Sequence, residues 1–287
     1  MNLLKRTLQF FLFISVWFVQ GQGKYLTIGI DSIKIYIEDA GKGKPIVFIP
    51  GWTMTSQFFS KQKDYFKKDH RYISYDPRSH GKSSKTEIRN TYAGHATDLY
   101  HLISALQLDD VILIGWSSGS ATVYEYVKKY GTGGIDKIVF IDEPPKWVGD
   151  SEKEWVYGSF DAYRESLKNL INDRTGYAKG TVQWMLQKNM NEGERDWMVA
   201  QMMLTPNNAA LSLYVDGLTS DYTDVAKSMN EKIPLLYLVR ESWYDKAKQW
   251  LDKNIKYSKV LPIKSHAPFW ENPEIFNEIV ETFINGS

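Results

Sequence analysis

Short apolar runs punctuate the chain from residue 25 onward, and longer stretches between them carry apolar residues at every third or fourth position. Residues 25–30 and 33–38 alternate apolar and polar side chains around Asp31-Ser32, which predicts a hairpin. Residues 45–50 (PIVFIP) are continuously apolar and end in Pro-Gly, the pattern of a strand buried on both faces. Similar runs at 72–75, 111–114, 137–141, 235–239 and 259–261 predict further strands. Helical spacing recurs over 91–106, 121–130 and 245–253. Residues 273–284 predict a closing helix, with Pro273 suited to its first turn. Strands alternating with helices argue for a parallel sheet covered by helices on both faces.

One long segment interrupts the alternation. Residues 146–231 contain no convincing strand and are rich in Trp, Tyr and Met, including Trp147, Trp155, Tyr157, Trp184, Met185, Trp197, Met202 and Met203. A structureless loop of that length is improbable in a compact domain. The segment is expected to form several helices that cap the carboxyl edge of the sheet. The aromatic residues would either line a pocket beneath the cap or fill the cap's own core. The core would then comprise 24–145 and 232–287, with the cap at 146–231.

The beginning of the chain follows a different logic. Lys5 and Arg6 precede an uncharged, mostly apolar run from 7 to 19, and small residues follow at Gly21 and Gly23. This is the pattern of a secretory signal, with 1–21 removed after Val19-Gln20-Gly21. The expected location is secreted or periplasmic, with no stable membrane insertion after cleavage; an uncleaved anchor is the alternative. The run is shorter than the roughly 20 residues that span a bilayer.

Composition adds mainly exclusions. In 287 residues there is no cysteine, which removes disulfides, thiolate nucleophiles, Cys-based metal sites and lipoprotein acylation. A formal net charge of +1 gives no reason to expect a nucleic-acid partner. No G-x-G-x-x-G or P-loop suggests a nucleotide, and no paired histidine pattern suggests a metal, so neither cofactor nor metal is expected.

The candidate chemistry lies where the run 111–114 enters Gly115-Trp116-Ser117-Ser118-Gly119, ahead of a helix. A serine in a sharp strand-to-helix turn is lifted above the sheet edge, and flanking glycines let neighbouring chain approach without a Cβ clash. The following helix directs free N–H groups toward the site. In this context the chain resembles the α/β-hydrolase superfamily, from about residue 25 to 283. Further landmarks come in the family's order. Ile49-Pro50-Gly51-Trp52 ends the strand that carries the oxyanion loop. Asp76-Pro77-Arg78-Ser79-His80-Gly81-Lys82-Ser83 resembles the D-x-R-G-x-G-x-S loop, with Ser79 in place of the first glycine. Phe140-Ile141-Asp142-Glu143-Pro144-Pro145 precedes the cap, and Ser265-His266-Ala267-Pro268 resembles the histidine loop. The branch most resembled is the cofactor-free chloroperoxidase and arylesterase-like group.

The resemblance implies an α/β-hydrolase fold with Ser117 as nucleophile, His266 as base, and the backbone amides of Trp52 and Ser118 as the oxyanion hole. His80 suits a loop-ordering role. The acid is open. Most relatives carry it after the strand that follows the cap, but here Trp243 occupies that position, with Glu241 before it and Asp245 beyond. Some relatives place it at the end of the strand before the cap, which is Asp142 here, with Glu143 adjacent. Asp142 is the first choice and Glu241 the alternate. The implied activity is hydrolysis of small to medium carboxylic esters or lactones through an acyl-enzyme. Cofactor-free perhydrolase or haloperoxidase-like chemistry is a second possibility. A ligand-binding protein without turnover is a third. The expected partner is a small-molecule acyl substrate; the sequence leaves the oligomeric state open.

Overall fold

The computed structural model describes residues 23–286 apart from 30, 152, 188 and 189, so the leader expected at 1–21 lies outside the described residues. Eight strands form one sheet in the order β1-β2-β4-β3-β5-β6-β7-β8. They are β1 (Lys24–Ile28), β2 (Ile33–Ala40), β3 (Pro45–Ile49), β4 (Arg71–Tyr75), β5 (Val111–Trp116), β6 (Ile135–Ile141), β7 (Leu235–Arg240) and β8 (Lys259–Ile263). β2 pairs antiparallel with both β1 and β4, and from β4 to β8 every pair is parallel. β3, β5 and β7 are buried along their whole length, as their continuous apolar runs require. β8 is an edge strand and tolerates Pro262, because one side of its backbone needs no partner.

The helices of the core are α1 (Ser60–Phe66), α2 (Tyr92–Ala105), α3 (Gly119–Tyr130), α9 (Glu241–Asn254), α10 (Pro268–Glu271) and α11 (Pro273–Asn285). α1 packs on α10 and α11, while α2 packs on α3, giving the sheet its two helical layers. Between β6 and β7 lie α4 (Phe160–Asn172), α5 (Arg174–Met185), α6 (Glu192–Met203), α7 (Asn207–Thr219) and α8 (Thr223–Ser228). The only extended pairings among the described residues of this insertion are two isolated bridges, Lys146 to Asp221 and Val148 to Gly158. No helix among the described residues is long and apolar enough to cross a membrane.

The topology itself selects the place for a site. β3 lies between β4 and β5, so the chain leaves β3 to one side and later returns to its other side. At such a switch point the loops from neighbouring strand ends diverge and open a crevice beyond the carboxyl edge. The segments leaving that edge are 50–55 after β3 and Ser117 after β5. α9 departs from the sequence expectation: it begins at Glu241 directly after β7 and not at Asp245, so no loop separates strand from helix.

Candidate active site

Ser117 stands in the turn between β5 and α3 with φ of 51°, a left-handed conformation uncommon for a residue with a Cβ. The turn is fixed on both sides: Ser117 N–H donates to Ile141 O at 2.9 Å, and Ser120 N–H donates to Ser117 O at 2.8 Å. The two flanking glycines are sterically required. A Cβ on Gly119 would lie 2.3 Å from Ile49 O, and one on Gly115 would lie 2.8 Å from Ser120 Cα.

The loop after β3 runs beside this turn, since a Cβ on Gly51 would stand 3.0 Å from Ser117 Cβ. Among the described residues, the backbone amides of Trp52 and Ser118 donate to no protein acceptor. The next amide is committed: Thr53 N–H donates to His80 Nε2 at 3.0 Å, and His80 Nδ1 lies 3.0 Å from Arg78 O. His80 is therefore the neutral tautomer with its proton on Nδ1. Its own loop is held by Asp76, which accepts from the amides of Ser56 and Lys82 at 2.7 Å each, and by Arg78, which donates twice to Asp98 at 2.6 Å. Ser79 adopts φ of 63°, a left-handed backbone that favours glycine. The Trp52 side chain reaches into the cap, donating from Nε1 to Ala210 O at 2.8 Å and meeting Tyr177 and Tyr214 edge-on.

Burial drives the His80 pKa down to about 4, below its ordinary value of 6.5. A histidine with a depressed folded pKa stabilises the fold fully above the unfolded pKa, and that contribution is lost as pH falls from 6.5 toward 4. The His80→Ala variant should lose about 1–3 kcal/mol at pH 7, because Thr53 N–H is left buried without an acceptor. Its melting temperature should also fall less steeply than wild type between pH 6.5 and 4. The slope will not vanish, because burial lowers the pKa of His95 and His266 as well. Equal slopes in wild type and variant would refute the assignment.

His266 is buried in the loop between β8 and α10. Trp116 Nε1, from the variable position of the serine motif, donates to His266 O at 2.7 Å, and His266 N–H donates to Met185 O of the cap at 3.1 Å. The ring packs 4.6 Å from the Trp184 ring, centroid to centroid. Its Nδ1 lies 2.7 Å from Asp142 Oδ2, leaving Nε2 for chemistry. Burial lowers the His266 pKa below its ordinary value; the hydrogen bond to Asp142 acts against this and the nearby Arg240 charge acts with it.

Asp142 follows β6 directly and is fully buried, with φ of 53°. Its amide donates to Leu238 O at 2.7 Å, and its Oδ1 accepts from the Arg240 amide at 2.9 Å. Arg240 Nε lies 2.5 Å from Asp142 Oδ2 but lacks hydrogen-bond alignment, so this contact is ionic. Glu241 is placed elsewhere. It is exposed at the start of α9 and pairs with Lys264 at 2.5 Å, and the exposed Asp245 sits one turn further along. Glu143 is buried but turned away from the imidazole, accepting from Trp147 Nε1 at 2.5 Å and from Tyr157 Oη. Burial pushes its pKa up to about 8.

Ser117 and His266 line one cavity of about 680 Å³. That falls within the roughly 300–1,000 Å³ of ligand sites. Trp52, Trp147, Tyr157, Trp184, Tyr214 and Trp243 supply aromatic wall, and the exposed Asn172 and Asp173 lie at its rim. The aromatic residues of the insertion thus serve both ends weighed from the sequence. Trp147, Tyr157, Trp184 and Met185 line the cavity, Trp147 and Met185 being at the same time part of the hydrophobic core, while Trp155, Met198 and Met202 belong to the core alone. Sequence reasoning did not single out Trp116 or Arg240 as parts of the site. For Arg240, the available signal was a cation closing an otherwise apolar strand, Leu-Leu-Tyr-Leu-Val-Arg. Among the described residues, no group of three or more His, Asp or Glu is placed to hold a metal ion.

Residues 44–198 match a family described as alpha/beta hydrolase fold. A putative non-heme chloroperoxidase of Synechocystis sp. is 27% identical over 282 residues, covering 91% of this chain and 99% of that one. A bromoperoxidase from Bacillus anthracis superposes with a TM-score of 0.84 at 25% identity, over 92% of this chain and 99% of its own. An esterase from Exiguobacterium antarcticum superposes with a TM-score of 0.83 at 22% identity, over 92% of this chain and 100% of its own, which is a likeness of fold.

Proposed function

The chain belongs to the α/β-hydrolase fold family, and from that premise we propose that it is a serine hydrolase cleaving carboxylic esters or lactones of small to medium size. The observation that carries this reading is the 2.7 Å contact between Asp142 Oδ2 and His266 Nδ1, with His266 and Ser117 in the wall of one aromatic cavity. Asp142 fixes the imidazole with its proton on Nδ1, so Nε2 is free to take the Ser117 proton as Oγ attacks the carbonyl. The oxyanion that forms meets the unengaged amides of Trp52 and Ser118; one such donor is worth about 3–4 kcal/mol of barrier. Collapse expels the alcohol, which receives the proton from His266. Water activated by the same Nε2 then releases the acid and restores Ser117.

The mature protein should hydrolyse p-nitrophenyl esters from acetate to octanoate, with kcat/KM falling once the acyl chain outgrows the cavity. A preference for insoluble long-chain esters would contradict the proposed size class. Absence of both turnover and fluorophosphonate labelling would favour a ligand-binding protein.

The relative named as a chloroperoxidase, matching along 91% of this chain, favours a second activity of the same residues. Hydrogen peroxide attacking the acyl-enzyme in place of water would form an acyl–peroxy bond as the acyl–Ser117 Oγ bond breaks, releasing a peracid, with Oγ reprotonated by His266. The peracid oxidises bromide to hypobromous acid, so bromination of a phenol probe that requires peroxide, bromide, a carboxylic acid and Ser117 would demonstrate it. Bromination that persists in Ser117→Ala would exclude this route.

A further inference from the structure

Arg240 is 8% exposed, and the reaction proposed above gives it no step. Its place follows from strand register. β6 and β7 run in parallel, with Ile141 opposite Leu238, so Asp142, which follows β6, and Arg240, which closes β7, are neighbours at the carboxyl edge. Asp142 Oδ2 lies between two cation-capable groups, His266 Nδ1 at 2.7 Å and Arg240 Nε at 2.5 Å. The guanidinium is held between two indoles, 4.2 Å from the Trp184 ring and 4.2 Å from the Trp243 ring. Trp184 comes from the cap helix α5 and also covers the His266 ring. Nη2 is buried without a hydrogen-bond partner.

A guanidinium is costly to bury, by several kcal/mol, unless its surroundings compensate. A methionine would fill the slot between two indoles without that cost. The distinguishing property of arginine here is its charge, which is aimed at the one carboxylate oxygen that serves the imidazole. Two consequences follow. The Asp142 carboxylate is held in a single orientation, with its Oδ1 on the Arg240 amide and its Oδ2 against the side chain. The fixed positive charge also makes a second positive charge on the nearby imidazole less favourable.

We propose that Arg240 is a positioning residue that orients Asp142 and keeps the His266 imidazole neutral, and therefore competent as a base, at lower pH. Among the described residues, the charged groups around the imidazole are few. β6 brings Asp142 and β7 brings Arg240, whereas Glu143 is turned toward Trp147 and Tyr157. The cap faces it with Trp184. The inference rests on the serine hydrolase reading for its kinetic expression, but its physical content is a property of His266 alone.

The test compares wild type with Arg240→Met, Arg240→Gln and Arg240→Lys. The His266 imidazole is followed by NMR titration, assigned with His266→Asn, and the acid limb of kcat/KM is measured beside it. In the neutral variants both midpoints should rise by about one pH unit. The Lys variant, which keeps the charge but not the planar fork, should hold the midpoint near wild type while kcat falls. Gln serves where Met fails to fold, since its amide can still meet Asp142. A His266 midpoint unchanged in the neutral variants would overturn the proposal, whatever the loss in rate. The NMR midpoint does not require turnover, so failure of the hydrolase reading would be seen separately, as absent hydrolysis by the wild type.

Discussion

Ser117→Ala should lose about four to six orders of magnitude in kcat for ester hydrolysis, with no change in the circular dichroism spectrum. The magnitude follows from removing the only atom that forms the acyl bond; what survives is substrate binding and oxyanion stabilisation of attack by water. The backbone makes a second substitution informative. At φ of 51° both serine and alanine carry a Cβ in the left-handed region, so alanine leaves the local strain in place. Ser117→Gly relieves it and should raise stability by about 1 kcal/mol while being equally inactive. Opposite signs for activity and stability at one position are expected where a strained turn is kept for chemistry. Retention of full esterase activity in Ser117→Ala would remove the proposed mechanism. Loss of activity with a lowered melting temperature in Ser117→Gly would show that the strain argument is wrong.

How far the sequence led can be seen from particular elements. Continuous apolar runs located β3, β5 and the central parts of β6 and β7, because strand segments buried on both faces favour apolar side chains. The serine turn was legible from its glycines, and the histidine from its place between the last strand and the last helix. Short polar helices were not. α1 (SKQKDYF) buries only Gln62 and Phe66, too little apolar repetition to register. The cap helices carried a signal of another kind. Ser159, Asp173 and Asn191 each accept from the amide three residues on, at 3.3, 2.8 and 2.9 Å, and such N-caps mark helix starts where amphipathic periodicity is weak.

The acid exposes a different limit. Asp142 and Glu241 each follow directly on one of two neighbouring parallel strands, and a one-dimensional pattern does not state which of two adjacent ends an imidazole leans toward. The decision lies in three-dimensional features: the bond from the Asp142 amide to Leu238 O, and the immediate start of α9, which carries Glu241 out to solvent. Trp243, aligned with the acid of most relatives, instead closes one side of the Arg240 slot. Arginine at the end of β7 and the aspartate that follows β6 thus form one unit, and the carboxylate that meets His266 stands beside β7 and not on it.

Asp142→Asn is therefore expected to cost about 10⁴-fold in kcat, while Glu241→Gln stays within about twofold of wild type. Asparagine tolerates the left-handed backbone at φ of 53°, so the substitution changes charge and hydrogen bonding with little effect on the turn. Its Oδ1 can still accept the Arg240 amide. Its Nδ2 then faces His266 Nδ1 as a donor, which moves the imidazole proton to Nε2 and blocks acceptance of the Ser117 proton. Arg240 is left buried without its carboxylate, which should lower stability by about 3–5 kcal/mol. Glu143 cannot substitute, because both its oxygens are engaged by Trp147 and Tyr157 and burial holds its pKa at about 8. Glu241, by contrast, loses only an exposed pairing with Lys264, worth at most about 1 kcal/mol. Steady-state kinetics and thermal melts of the two variants decide the matter. An active, stable Asp142→Asn beside an inactive Glu241→Gln would require α9 to unwind at its first turn in solution and return the acid to β7.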